Sequence, residues 1–368
     1  MPLRDRGRGG RIEPVAVVAA VGLVLFAAIA VATSPAATTA AEPTVRELVG
    51  QRFVVAMRGI APSPSLLGRV RRGEIGGVIL FGFNIRNRAQ LHQLTTTLQG
   101  AARAAGRPPL LTATDQEGGR VRRLPWAGPS LSATELGLST VAQIRLEARQ
   151  AAHALRAAGV NVDLAPVADV PVPGSFMAAD ERTFGASSRA VSTAVTAFTR
   201  GLADAGVAAA VKHFPGIGRA TRNTDRAAVT ITATDAALEG RDLVPFRAAI
   251  AAGAPIVMVS NATYPALDAK AAPWSTRVQA LLRGELGFSG VTITDALEGA
   301  AATRGRSLFS VAALSAQAGV DLLLLTGSET SSAAAFERVV TVAEDGRIGP
   351  AALQASYDRI VALKRTYG

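Results

Sequence analysis

Residues 290–297, Gly-Val-Thr-Ile-Thr-Asp-Ala-Leu, form a short β-branched run that breaks on a carboxylate. Seven further runs of the same kind are spread along the chain: 53–59 (FVVAMRG), 76–82 (GGVILFG), 110–116 (LLTATDQ), 162–170 (VDLAPVADV), 207–216 (VAAAVKHFPG), 255–261 (PIVMVSN) and 320–327 (VDLLLLTG). Each ends in polar or glycine residues, and most lead into a stretch rich in Ala, Leu and Arg. Apolar runs separated by helices indicate parallel strands covered on both faces. The stretches 88–104, 139–158, 187–205, 235–251 and 275–283 carry apolar residues at spacings of three and four, which predicts helices. Eight such units suggest an α/β fold closed into a single (β/α)8 TIM-type barrel. A doubly wound open sheet is the structural rival, weakened because the first βα turn lacks a G-x-G-x-x-G pattern.

Composition narrows the function classes. The chain has 368 residues, 49% of them hydrophobic and 18% charged, enough to bury a large core. Its formal charge of +11 is carried by arginine, and the lysines are Lys212, Lys270 and Lys364. No basic run is interleaved with aromatics, so no nucleic-acid partner is expected. The absence of cysteine excludes disulfides, thiolate metal sites, cysteine nucleophiles and lipid attachment at an N-terminal cysteine. The histidines are His92, His153 and His213, with no H-x-H or H-x-x-x-H spacing, so neither a catalytic metal nor another cofactor is expected.

The first 41 residues read as an export segment. Arg4, Arg6, Arg8 and Arg11 precede an uncharged apolar stretch, 15–32, followed by small residues and Pro35. Cleavage after Ala30 or Ala32 would release a secreted or wall-located protein. If retained, the segment would attach the chain to the outer face of the cytoplasmic membrane. Residues 42–368 form the expected barrel domain.

Polar residues collect at the carboxyl ends of the runs: Asp115, Asp169, Lys212 with His213, Asn261 and Asp295. In a barrel those ends share one rim, which makes distant residues neighbours. An ionised carboxylate held at a strand end suits attack on a sugar's anomeric carbon, because the transition state there is positively charged. The competing use of Asp295 is to cap the next helix. The segment 115–123, Asp-Gln-Glu-Gly-Gly-Arg-Val-Arg-Arg, supplies acceptors and planar guanidinium donors for hydroxyl groups, with a glycine pair that allows close backbone approach. A solvated turn with surface ion pairs is its bland alternative. Lys212 and His213 can both serve the rim if the strand has begun to turn, as Pro215 and Gly216 suggest.

Five motifs together resemble glycoside hydrolase family 3, in its single-domain β-N-acetylglucosaminidase branch: D-Q-E-G-G-R-V-x-R at 115–123, V-D-L-A-P-V-A-D-V at 162–170, E-R-T-F-G at 181–185, K-H-F-P-G at 212–216 and G-F-S-G-V-T-I-T-D at 287–295. The resemblance runs from about Val45 to the end of the chain. It implies that Asp295 is the nucleophile of a retaining, two-step hydrolysis. Asp115, Arg123, Arg182, Lys212 and His213 would hold the hydroxyls of the terminal sugar. That sugar would be N-acetylglucosamine, and the partner a cell-wall glycan fragment.

One departure concerns the general acid/base. The family branch has K-H-F-P-G-H-G, four residues, then D-S-H, whereas here Ile217, Asn223, Thr224 and Asp225 stand at the first His, the dyad Asp, the Ser and the catalytic His. His92 and His153 fall in expected helices and offer no substitute. Three outcomes stay open: Asp225 protonates the leaving oxygen; the enzyme turns over slowly or only activated substrates; or the site binds glycans without turnover. For the first, burial would have to raise the Asp225 carboxyl against the pull of Arg219, Arg222 and Arg226. A β-glucosidase-type specificity of the same family is a further alternative, disfavoured because no second domain follows Gly368. Asn261 stands where many relatives have His, and is expected at most to touch ligand.

Overall fold

Val, Ile and Leu crowd the eight runs, and in the computed structural model, which describes residues 42–368, all eight become parallel strands. They are β1 (Phe53–Ala56), β2 (Gly77–Ile79), β3 (Leu111–Thr114), β4 (Val162–Asp163), β5 (Ala208–Phe214), β6 (Ile256–Val259), β7 (Val291–Thr294) and β8 (Leu323–Leu325). Neighbours pair in the order β7-β6-β5-β4-β3-β2-β1-β8. A bridge between Ile293 and Leu322, with Thr294 N–H donating to the Leu322 carbonyl at 2.9 Å, joins the two ends of that order. The open-sheet rival is thereby excluded. The expected export segment 1–41 lies outside the described residues, among which no helix is long and apolar enough to cross a membrane.

Strand periodicity divides the core in two. Val54, Ala56, Ala208, Ala210, Ile256 and Met258 belong to the cluster that fills the barrel. Their neighbours Val55, Ala209, Val257 and Val259 belong to a larger cluster shared with the surrounding helices. Those helices begin at side-chain caps: Asn87 accepts from Gln90 N–H at 2.9 Å at the start of Arg88–Ala104, and Thr140 and Ser187 do the same for Val141–Ala157 and Ser188–Asp204. Ile360 and Leu363, from the last helix (Pro350–Tyr367), pack against the barrel-filling cluster.

Three elements depart from expectation, the stretch 275–283 by dividing into the helix Thr276–Ala280 and a π-helical turn over Leu281–Glu285. The run 162–170 keeps strand pairing only over Val162–Asp163 and as a bridge from Val167 to Lys212. Pro166 has no N–H to give to the ladder, which interrupts it there. The stretch 235–251 divides into Asp235–Ala237, a π-helical turn over Leu238–Asp242 and the helix Val244–Ala251, with Pro245 at its first turn.

Candidate active site

The carboxyl ends of the strands enclose a cavity of about 420 Å3. Asp115, Arg123, Arg182, Lys212, His213, Asp225 and Asp295, the seven residues expected to hold or act on a ligand, all line it, whereas Asp169 does not. They come from β3 and its hairpin, from loops after β4, β5 and β7, and from β5 itself.

The floor of one side is a chain of alternating charge. Lys212 Nζ lies 2.9 Å from Asp115 Oδ1 and 2.6 Å from Glu117 Oε1. Glu117 also accepts two parallel bonds from Arg182, at 2.8 and 2.7 Å, and Arg123 approaches Asp115 at 3.7 Å. Burial alone would raise the Glu117 carboxyl, but the charges of Arg182 and Lys212 outweigh it and hold the group well below the usual range. Lys212 shows the mirror image: burial lowers it, Asp115 and Glu117 more than compensate, and its ammonium persists. A buried pair of this kind lends fixed direction more than net stability. Behind it Asp163 is fully buried, with Oδ1 accepting from Gln116 N–H at 2.9 Å and Oδ2 unpartnered. Burial, against only partial relief from that bond and from Lys212, pushes its carboxyl up to about 8.

The segment 115–123 is an antiparallel hairpin, Gln116–Gly118 with Val121–Arg122, and not a solvated turn. Gln116 is buried and its side chain bonds the carbonyls of Leu124, Ala127 and Gly128. Gly118 has φ of +107°, and a Cβ there would strike the Leu131 carbonyl. The close approach this glycine permits is therefore to the protein's own backbone.

On β5 both Lys212 and His213 face the cavity, and the peptide between them is cis. His213 Nδ1 lies 2.7 Å from Asp169 Oδ2, while Asp169 Oδ1 accepts from Ile217 N–H at 2.7 Å. With Nδ1–H donated to Asp169, Nε2 is the ring nitrogen left for a ligand, and on a neutral ring it accepts. Asp169 thus ties the cavity-facing histidine to the start of the loop that carries Asp225.

That loop, residues 217–228, is held at several points. Gly218 passes so close to β4's extension that a Cβ would collide with the Val170 carbonyl, and its own carbonyl accepts from Val172 N–H at 2.9 Å. Asn223 Oδ1 accepts from Asp225 N–H at 2.7 Å, a turn-forming bond that commits the oxygen to backbone. The carbonyls of Thr224 and Asp225 accept from Ala301 and Ala300 N–H, docking the loop on the segment after β7. The Asp225 side chain stays open to the cavity mouth. Partial burial, followed by the negative charge of Asp295, raises its carboxyl, with His213 and Arg182 opposing. The expected depression by three neighbouring arginines does not occur: Arg219 pairs with Asp242 at 3.0 Å and Arg222 donates to the Ala228 carbonyl.

Asp295 stands just past β7, its N–H bonded to the Val259 carbonyl at 2.9 Å and its Oδ1 accepting from Ala296 N–H at 2.8 Å. Asn261 does not line the cavity. It is fully buried and donates from Nδ2 to the Ala296 carbonyl at 2.7 Å, so it braces the turn beside Asp295. Glu298, not singled out in the sequence, also lines the cavity, with its oxygens accepting from Thr326 and Gly327 N–H at 2.9 Å each. Its spacing of three from Asp295 was the available signal. Phe81 completes one wall, stacked at 5.5 Å on Phe83, which is 54% exposed. Asp295 and the charge chain thus line one hollow of about 420 Å3.

The sequence profile of the Glycosyl hydrolase family 3 N terminal domain matches residues 44–363. The chain belongs to glycoside hydrolase family 3. A family relative from Arthroderma benhamiae, described as an uncharacterized secreted glycosyl hydrolase, is 36% identical over 353 residues, covering 93% of this chain and 98% of that protein. A β-hexosaminidase of Xanthomonas oryzae pv. oryzae is 33% identical over 297 residues, or 77% of this chain and 87% of its own. Among solved structures, a family 3 β-N-acetylglucosaminidase from Paenibacillus sp. str. FPU-7 aligns with a TM-score of 0.85 and 33% identity over 89% of this chain, which spans 63% of that protein. A β-N-acetylhexosaminidase from Beutenbergia cavernae aligns over 89% of this chain and 100% of its own, with a TM-score of 0.81 and 32% identity. The family expected from five motifs is the family shown, and the chain is a glycosidase of the β-hexosaminidase-like kind.

Proposed function

We propose that this family 3 glycosidase removes non-reducing terminal β-linked N-acetylglucosamine from peptidoglycan fragments outside the cytoplasmic membrane. The observation that carries the reading is one cavity lined by Asp295 together with the charge chain Arg123, Asp115, Lys212, Glu117 and Arg182. The names of the relatives support the sugar, and the secreted relative together with the apolar segment 15–32 supports export.

In this reading the terminal sugar's hydroxyls bond Asp115, Arg123, Arg182, Lys212 and His213, which places its anomeric carbon before Asp295. The Asp295 carboxylate attacks that carbon, the glycosidic bond breaks, and the leaving oxygen takes a proton from Asp225. Water then attacks the glycosyl ester, gives its proton to Asp225, and frees Asp295 with overall retention. Glu298, whose two oxygens accept backbone N–H bonds from Thr326 and Gly327, serves in this reading to fix the loop after β8 and not as the proton shuttle.

Purified protein is expected to release p-nitrophenol from p-nitrophenyl β-N-acetylglucosaminide, and Asp295→Ala to abolish it. Silence from the wild type, or equal release by the variant, removes the proposal. A second reading, a wall-glycan-binding protein without turnover, is favoured by one feature, the replacement of the family's acid/base residues at 217, 223, 224 and 225. It requires glycan affinity with no release even from this activated substrate.

A further inference from the structure

A second cavity of about 420 Å3 lies at the opposite, amino-terminal end of the barrel. Arg52, Arg283, Arg347 and Arg359 line it. Among the described residues the one carboxylate ion-paired with any of them is Asp321, which holds Arg359 at 2.6 Å and Arg283. Asp321 also accepts from Thr292 N–H at 2.9 Å and from the Thr292 hydroxyl at 3.2 Å, so its capacity is used up. Arg52 is fully buried and reaches only backbone carbonyls, those of Ala316 at 3.0 Å, Val320 at 2.6 Å and Asp321 at 3.3 Å. Arg347 is exposed and makes no side-chain hydrogen bond or ion pair with the described residues. Four cations thus share one anion.

Three further features point the same way. The helix Pro350–Tyr367 opens at Gly349 with no capping side chain, and Gly349 and Ala352 line the cavity, so the positive end of an 18-residue helix faces it. Gln279, 5% exposed, also lines the cavity, with neither its carboxamide oxygen nor its nitrogen hydrogen-bonded. So does Ser356, 3% exposed, with its hydroxyl unpartnered. Burial, offset only in part by Asp321 and compounded by the charge of Arg359, pushes Arg52 down to about 10 and lowers Arg283 as well. Positive charge crowded in this way is what a bound anion relieves.

We propose that this cavity binds a phosphate group, either free or as the end of a small phosphomonoester. A tetrahedral dianion offers enough acceptors for several guanidinium forks and a helix N-terminus at once. The volume exceeds that of phosphate alone, which leaves room for a small ester. Occupancy would tie the last helix to the segments that lead into β1, β7 and β8, so the ligand would act on the closure of the barrel and not on the sugar cavity.

The test uses the full chain at pH 7.5 and constant ionic strength, with inorganic phosphate and glycerol 3-phosphate as separate probes and chloride as reference. Isothermal titration is expected to give one saturable site, and phosphate to raise the melting temperature beyond chloride. Arg347→Glu, a change at an exposed side chain, should retain the unliganded melting temperature and weaken phosphate at least tenfold. Gln279→Ala should weaken it as well. Arg123→Ala, at the sugar cavity, should leave it unchanged. Tighter binding of glycerol 3-phosphate would assign the source to an ester, and equal or weaker binding to free phosphate. No effect beyond chloride, undiminished affinity in Arg347→Glu, or loss in Arg123→Ala alone would overturn the proposal. None of these readouts depends on glycoside turnover.

Discussion

Asp225 shares its cavity with Asp295, and the Asp225 carboxyl is raised, chiefly by desolvation and then by the neighbouring negative charge. A group so placed keeps its proton to a higher pH than an ordinary aspartate, which is what a proton donor needs. Asp225→Ala should therefore cut kcat/KM on a wall-derived disaccharide by about a hundred- to ten-thousand-fold, the usual cost of a lost general acid. On a p-nitrophenyl glycoside the loss should be far smaller, and azide should restore turnover. The wild-type rate on the disaccharide should also fall as pH rises through the raised carboxyl, while Asp225→Ala lacks that limb. Equal losses on both substrates would deny Asp225 the role. Asp163 gives a stability counterpart. Its folded carboxyl sits near 8 against an ordinary value of 3.8, so the folded state binds the extra proton. The resulting stability is complete below the unfolded value and is lost as pH climbs through about 8. Asp163→Asn keeps the acceptor for Gln116 N–H and does not ionise. Melting curves of the two proteins should run together near pH 4 and separate by pH 9, with the wild type the less stable.

At the level of elements, the eight strands were legible because each is a β-branched run ending in polar residues, and the helix 88–104 matched to the residue because Asn87 caps it. That the seven residues would line one cavity was legible for a related reason: strand ends concentrate polar side chains in a barrel, and most of the family motifs fall there. What the sequence hid was pairing. Glu117 lies next to noted residues, but nothing local shows that Arg182, 65 positions away, grips it in two bonds. Asp169 gave no sign of orienting His213, and Asn261 none of bracing Ala296 from behind, because both contacts cross between strands. The arginines of the loop 217–228 misled, since their charge counts in sequence whichever way the side chains turn. The loop's own anchor is Gly218, where backbone meets backbone and no flexible atom can yield. Gly218→Ala should destabilise by roughly 1–3 kcal/mol, as overpacking does. Because the displaced element carries Asp225, disaccharide turnover should fall more than turnover of a p-nitrophenyl glycoside. An unchanged melting temperature together with unchanged turnover would show that the loop does not depend on that contact.

Over the whole molecule, 39 basic against 28 acidic side chains leave a charge of +11. Residues 1–41 hold four arginines, one aspartate and one glutamate, or +2, so the described part keeps +9. At the cavity Arg123, Arg182 and Lys212 pair with Asp115 and Glu117, and Asp225, Asp295 and Glu298 line the same hollow, so the surplus of positive charge lies outside it. A field of that kind acts at long range, raising encounter rates with anionic partners without adding contacts to the bound sugar. Its reach shrinks from about 30 Å at 0.01 M salt to about 3 Å at 1 M. Peptide-bearing wall fragments carry carboxylates, whereas a p-nitrophenyl N-acetylglucosaminide is neutral. Raising salt from 0.01 to 0.5 M should therefore lower kcat/KM on the anionic fragment several-fold, leave kcat at saturation nearly fixed, and barely change the neutral substrate. If both substrates respond alike, the charge serves something other than capture of wall glycans, and the basic surface loses its place in the proposed function.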